Sequence, residues 1–227
     1  CNSRKIGLVF PTYFWGVPRT VAEFVSEIKV EADNPYVFAA ATCGGLAGGV
    51  LGHTDALLKK KGLHLDYGVT IPSVANFIEE YNPKTRLADR KLRKADEMAE
   101  KASSEIMADR HNGPFGFHVW DRMFYRVYTD YKLDRDAGFH VDDTCVRCGI
   151  CQRICPRQNI VLKNGKPEFL HRCEHCVACI NGCPQHAIQW KHATRKRVRY
   201  QNPGVSVSDI IDGMGNAENS PKNNSLR

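Results

Sequence analysis

The chain has 227 residues, a formal net charge of +7 at pH 7 and ten cysteines. That length accommodates one medium domain and one small one. No run of 18 apolar residues occurs, so the sequence carries no helical membrane span.

In chain order, residues 6–13 are near-continuously apolar and end at a turn, the pattern of a buried parallel strand. Pro18 suits the first position of a helix, to which Val21, Phe24, Val25 and Ile28 give an apolar face. Residues 36–41 read as a second strand, residues 42–45 as a loop and residues 46–60 as a helix. A third strand is expected at 63–69. A long helix comes next at 85–110, with Ala88, Leu92, Ala95, Ala99, Ala102 and Ile106 facing inward. This alternation predicts a doubly wound parallel sheet with right-handed crossovers.

Such sheets take ligands at the carboxyl ends of their strands, where two loops fall. One offers Tyr13, Phe14 and Trp15 followed by Gly16; the other offers Thr42, Cys43, Gly44 and Gly45. Glycines let backbone N–H groups approach a flat ligand, so the pair suits an aromatic ring system with polar edges. Aromatic residues at a strand end also serve as core, and glycines also serve as turns. Cys43 reads either as a thiol activated at a helix N-terminus or as a small packed side chain.

Residues 1–83 resemble the second half of a flavodoxin. The resemblance implies that Tyr13-Phe14-Trp15-Gly16 and Thr42-Cys43-Gly44-Gly45 hold the ring of FMN, with Tyr13 or Trp15 stacked on it. The family's Ser/Thr-Gly-Thr-Gly-Asn phosphate loop and its first two strands do not occur here. The expectation is an N-terminally incomplete domain of three strands, with the strand at 6–12 left as an exposed edge. A version that has shed its phosphate site, or one half of a split pair, is the alternative.

His111-Asn112-Gly113-Pro114 breaks the long helix. Residues 117–131 read as an aromatic linking helix, with Phe117, Trp120, Met123, Phe124, Val127, Tyr128 and Tyr131 largely on one side. It is expected to pack between the α/β domain and the cysteine-rich region.

Eight of the ten cysteines fall in that region, in two matched runs. Cys145, Cys148, Cys151 and Cys155 precede Pro156; Cys173, Cys176, Cys179 and Cys183 precede Pro184. The runs repeat at a constant offset of 28, Cys145 to Cys173 and Pro156 to Pro184. Three thiolates at i, i+3 and i+6 can face one cubane, whereas zinc sites use pairs of cysteines or mix in histidine. Cysteines this localised do not read as a secreted disulfide framework and point to the cytoplasm. The spacing is that of bacterial two-cluster ferredoxins. That resemblance implies two [4Fe–4S] clusters with crossed ligation: Cys145, Cys148, Cys151 and Cys183 on one, and Cys173, Cys176, Cys179 and Cys155 on the other. Gly149 sits where the first loop has room for little else, and Ala178 replaces a bulky residue in the second. Residues 160–166 should form a strand ending in an Asn164-Gly165 turn, and residues 187–190 the matching strand. His171, His175 and His186 read as neighbours of the clusters, not ligands.

The basic run Lys191, His192, Arg195, Lys196, Arg197 and Arg199 suits a solvated surface, an acidic electron partner or a phosphate. Two oxidised clusters on eight thiolates would bring the net charge to about +3, which weakens the case for nucleic acid. Ser206-Val207-Ser208-Asp209 is a capping box opening a short helix at 207–212, and residues 213–227 read as disordered. The combination resembles bacterial and archaeal flavodoxin–ferredoxin fusion proteins. The fold expectation is an α/β flavodoxin-like doubly wound sheet, N-terminally incomplete, plus an α+β two-cluster ferredoxin domain. The divisions are 1–110, 111–138, 139–195 and 196–227. The functional expectation is low-potential electron transfer between a flavin and two clusters, with unidentified redox proteins as partners and no nucleic acid. A ferredoxin whose flavin-free α/β domain only docks, and a flavin-dependent reductase of a small acceptor, are the alternatives.

Overall fold

The computed structural model describes residues 1–83 and 85–218. They divide into two compact units: residues 1–75 with 85–132, and residues 76–83 with 133–218. Residues 76–83, which the sequence groups with the first domain, therefore belong to the second unit.

In the first unit, β1 (Lys5–Pro11), β2 (Tyr36–Cys43) and β3 (Tyr67–Pro72) form a parallel sheet in the order β1-β2-β3. Leu8 lies opposite Ala39, and Ala40 opposite Val69. Alternate side chains of a strand point to opposite faces. Leu8, Phe10, Val37, Ala39 and Ala41 face one way. They pack with Val25 of α1 (Arg19–Glu27) and with Val50 and Leu58 of α2 (Val50–Lys59). The other face meets α3 (Ala88–Met107), where the Lys5 ammonium donates to the Ile106 carbonyl and the Tyr67 hydroxyl to Glu105. Helices thus lie on both faces, and the topology is flavodoxin-like. β1 is the sheet's edge, as expected, and its Val9 is 74% exposed.

Several element boundaries are corrected, each for a local reason. Pro18 is extended (φ −54°, ψ 145°) and caps α1 from outside instead of occupying its first turn. Phe24 of α1 is exposed while Val25 is buried. The helix expected from 46 begins at Val50, because Gly48 is left-handed at φ +54° and breaks the helical path. The third strand runs over 67–72 rather than 63–69. Polar side chains capture the earlier residues: Asp55 accepts the Leu65 N–H at 3.0 Å and Asp66 accepts the Val37 N–H at 2.7 Å. A 3-10 turn at Thr85–Leu87 precedes α3, in which Ala95 and Ala102 are buried and Ala99 is not. The aromatic helix α4 (Val119–Tyr131) belongs to the first unit and turns only Asp121 and Tyr128 fully inward. Trp120, Met123, Phe124, Val127 and Tyr131 are exposed.

In the second unit, β4 (Phe139–Val141) pairs antiparallel with β7 (Ile188–Trp190), and β5 (Ile160–Lys163) with β6 (Lys166–Phe169). Asn164 and Gly165 both have positive φ, 51° and 78°, as a two-residue hairpin turn requires. Short helices α5 (Ile150–Arg153) and α6 (Ala178–Asn181) carry the third cysteine of each run. The core joins Phe139, Ile160, Val177, Ile180 and Ile188 to Ile78, which is fully buried. Hydrogen bonds tie segment 76–83 into this unit. Arg197 Nη1 donates to the Ile78 carbonyl (2.6 Å), Asn181 Nδ2 to the Asn76 carbonyl (3.3 Å), and the Val198 N–H to Asn82 Oδ1 (2.8 Å). The capping box forms: Asp209 N–H to Ser206 Oγ at 3.1 Å and Ser206 N–H to Asp209 Oδ2 at 2.8 Å. The helix it opens, α7 (Val207–Glu218), passes well beyond its expected end at 212. The remainder of the expected disordered tail, 219–227, lies outside the described residues.

Candidate functional site

The sequence repeat is written into the backbone. Arg147 and His175 have φ of 59° and 53°, Gly149 and Val177 of 75° and 55°, Gln158 and His186 of 49° each. The Cys155 sulfur accepts the Asn159 N–H at 3.3 Å, and the Cys183 sulfur accepts the Ala187 N–H at 3.3 Å. Each run winds through left-handed residues into a single helical turn. Its first three cysteines face one hollow and its fourth is carried away. In the first run a glycine takes the central left-handed position at no steric cost. In the second, buried Val177 takes it, a conformation unusual for a β-branched residue.

Two cavities result. One is lined by Cys145, Cys148, Cys151 and Cys183, with Ile150, Pro184 and Ile188 among its walls. The other is lined by Cys155, Cys173, Cys176 and Cys179, with Phe139, Ile160 and Phe169. Each contains three cysteines of one run and the fourth of the other. No histidine lines either. Among the described residues, no three of His, Cys, Asp or Glu converge closely enough to grip one metal ion. Four thiols that line a hollow without converging do not fit a single ion, whose ligands must come to within bonding distance; they do fit a polynuclear cluster.

The electrostatics agree. Burial pushes the Cys151 thiol up to about 11 and Cys176 up to about 12, with neighbouring thiols and carboxyls adding to the rise. Cys173 and Cys179 move the same way for the same reason. Buried thiolates are costly without a compensating cation, so these cavities favour deprotonated sulfur only when metal is bound.

Polar side chains fix the approach to the second run. Buried Asp136 accepts Asn159 Nδ2 at 2.8 Å and the His171 N–H at 3.0 Å, and Asn159 Oδ1 accepts the Arg172 N–H at 2.6 Å. His175 Nδ1 meets Glu79 Oε1 at 2.7 Å, and the His175 N–H donates to the Cys173 sulfur at 3.3 Å. The basic run is partly internal: Arg195 pairs with Asp142 at 2.7 Å, and Arg199 donates to Gln189 Oε1 at 2.9 Å. None of Asp136, Asn159 or Glu79 stands out in the sequence. Each is a single polar residue whose partner is remote in the chain.

The loops of the parallel sheet also come together. Tyr13 and Gly16 exchange backbone hydrogen bonds of 3.0 and 2.9 Å, with Phe14 and Trp15 at positive φ between them. Trp15 lies against Gly48, filling the place a Cβ would take. The aromatic rings have protein partners: Phe14 stacks on Tyr128 at 5.2 Å, and Trp15 contacts Phe124 at 4.3 Å. Gly44 is packed against Ala75, while nothing stands near the Cβ position of Gly45. Thr42 is exposed. Cys43 does not stand at a helix N-terminus, since α2 begins at Val50. Its buried thiol donates to the Gly45 carbonyl at 3.3 Å, and burial raises its pKa.

Residues 144–188 match the family model of the 4Fe-4S dicluster domain. Comparisons with curated proteins and with solved structures returned no match. The chain thus contains an iron–sulfur region preceded by a parallel α/β sheet consistent with a flavodoxin-like fold.

Proposed function

We propose that the chain is an electron carrier with two [4Fe–4S] clusters, one on Cys145, Cys148, Cys151 and Cys183 and the other on Cys155, Cys173, Cys176 and Cys179. The observation that carries this reading is the pair of cavities, each lined by four thiols drawn from both runs. When bound, such clusters take up and release single electrons. The protein's own contribution is to hold the sulfurs, keep water from them and set their polarity. Apolar walls at Ile150, Ile188, Phe139 and Ile160 do the second. Amide donors from Asn159, Ala187 and His175 to cysteine sulfur do the third, since such bonds tune potential. Cys148 is exposed, so the first cavity has a solvent-facing sulfur through which an external redox protein is reached.

The test is anaerobic reconstitution with iron and sulfide, followed by iron and acid-labile sulfide analysis. About eight irons per chain are expected; one or two metal ions without sulfide would sink the reading.

A relay at low potential between these clusters and FMN is the fuller form of the proposal, and the first unit fits it less well. Trp15 of the first loop lies against Gly48, which follows the second, and this proximity supports the form. Of the rings that would receive the flavin, Trp15 contacts Phe124 of α4 at 4.3 Å and Tyr13 meets Tyr128 edge-on at 6.1 Å, which opposes it. No step is assigned to a flavin. FMN added to the reconstituted chain is expected to pass through a desalting column unbound, and its co-elution would restore the fuller form.

A further inference from the structure

Segment 76–83 lies outside the cysteine repeat, yet it reaches the second run. Its Glu79 side chain is fully buried, as is that of His175, which it meets at 2.7 Å. His175 stands between two cysteines of the second cavity, at φ 53°. Its ring is walled by Phe139 at 5.7 Å and Trp190 at 5.1 Å. Its Nε2 is buried with no hydrogen-bond partner among the described residues. Among those residues, Glu79 is therefore the one polar group seen to orient the imidazole. The backbone N–H of the same histidine donates to the Cys173 sulfur.

The repeat supplies an internal comparison. Arg147 holds the matching position of the first run with the same left-handed backbone, φ 59°, but its side chain is exposed. One run thus has a buried carboxylate and imidazole beside its ligands, and the other has a solvated guanidinium. Charges act more strongly in a dry interior than at a wet surface, and hydrogen bonds to sulfur and nearby charge set cluster potentials.

We propose that Glu79 is a positioning residue for the cluster held by Cys155, Cys173, Cys176 and Cys179. Its carboxylate fixes His175, and with it the amide that donates to Cys173, and so holds that cluster's reduction potential below the other's. This rests on the two-cluster reading above. Removing the buried negative charge makes the nearby cluster easier to reduce, so its potential rises.

The test uses the reconstituted full chain, Glu79→Gln, Glu79→Ala and the control Glu80→Gln at the exposed neighbour. Iron per chain is measured first, then both midpoint potentials by redox titration followed by electron paramagnetic resonance. The expected result is unchanged iron in Glu79→Gln, an upward shift of one potential with the other unmoved, and at least the same shift in Glu79→Ala. Glu80→Gln should move neither. Unmoved potentials in Glu79→Gln, an equal shift of both, or loss of iron would each overturn the proposal. Failure of the wild-type chain to take up about eight irons would instead remove the cluster reading itself, before any variant is compared.

Discussion

Gly149 and Val177 hold one backbone conformation with opposite steric consequences. A Cβ at Gly149 would meet Leu162 at 3.6 Å, an ordinary contact, so a substitution there tests the left-handed backbone alone. Gly149→Ala is expected to cost about 1–2 kcal/mol, read as a lower midpoint of anaerobic thermal unfolding of the loaded protein. His53 in the first unit gives a second test. Its ring accepts the Val17 N–H through Nδ1 at 3.2 Å and stacks on Phe117 at 4.6 Å. Burial lowers its pKa from 6.5 to about 4. Because the folded value lies below the unfolded one, the stability His53 contributes is complete above pH 6.5 and is lost as the pH falls towards 4. The loss should reach about 2–3 kcal/mol by pH 4.5, with the imidazole carbon shift in nuclear magnetic resonance reporting the depressed titration. Cys43 answers the question its sequence position leaves open. With its thiol buried and its pKa raised, its alkylation near neutral pH should be slower than that of free cysteine.

At the scale of elements, the cysteine runs are legible because their information is local. Ligand spacing dictates the loop, and the same left-handed residues recur at the same offset. The capping box of α7 and the Asn164-Gly165 turn are legible for the same reason. What the sequence hides is long-range. The shift of β3 depends on Asp55 and Asp66 capturing amides, and the membership of 76–83 depends on Arg197 and Asn181. In α4 Trp120 and Tyr128 fall on the same side of the helix, so periodicity could not separate buried Tyr128 from exposed Trp120. Tyr128→Ala is expected to destabilise the first unit by about 3–5 kcal/mol, seen as faster amide hydrogen exchange around Tyr13–Gly16. Asp136→Ala should cost the second unit about 2–4 kcal/mol, since it strands the buried Asn159 amide and removes the acceptor of the part-buried His171 N–H. Denaturant midpoints of the loaded protein would measure it.

For the whole molecule, the exchange of fourth cysteines between the two runs is the organising fact. Cys155 follows the first run in sequence but lines the cavity of the second. Cys155→Ala should therefore disturb the signal belonging to Cys173, Cys176 and Cys179 and leave the other intact. Iron content should fall to about four per chain if the incomplete site empties. A disturbance of the signal belonging to Cys145, Cys148 and Cys151 instead would contradict the crossed lining. The crossing also sets a biosynthetic order. The first hollow has only three of its sulfurs until Cys183 has been translated, and by then every sulfur of the second has been made. A ribosome-bound chain that stops short of that residue can complete no more than one site. On the two-cluster reading, full loading is thus confined to chains extended past Cys183, and a product terminated before that residue is expected to carry less iron.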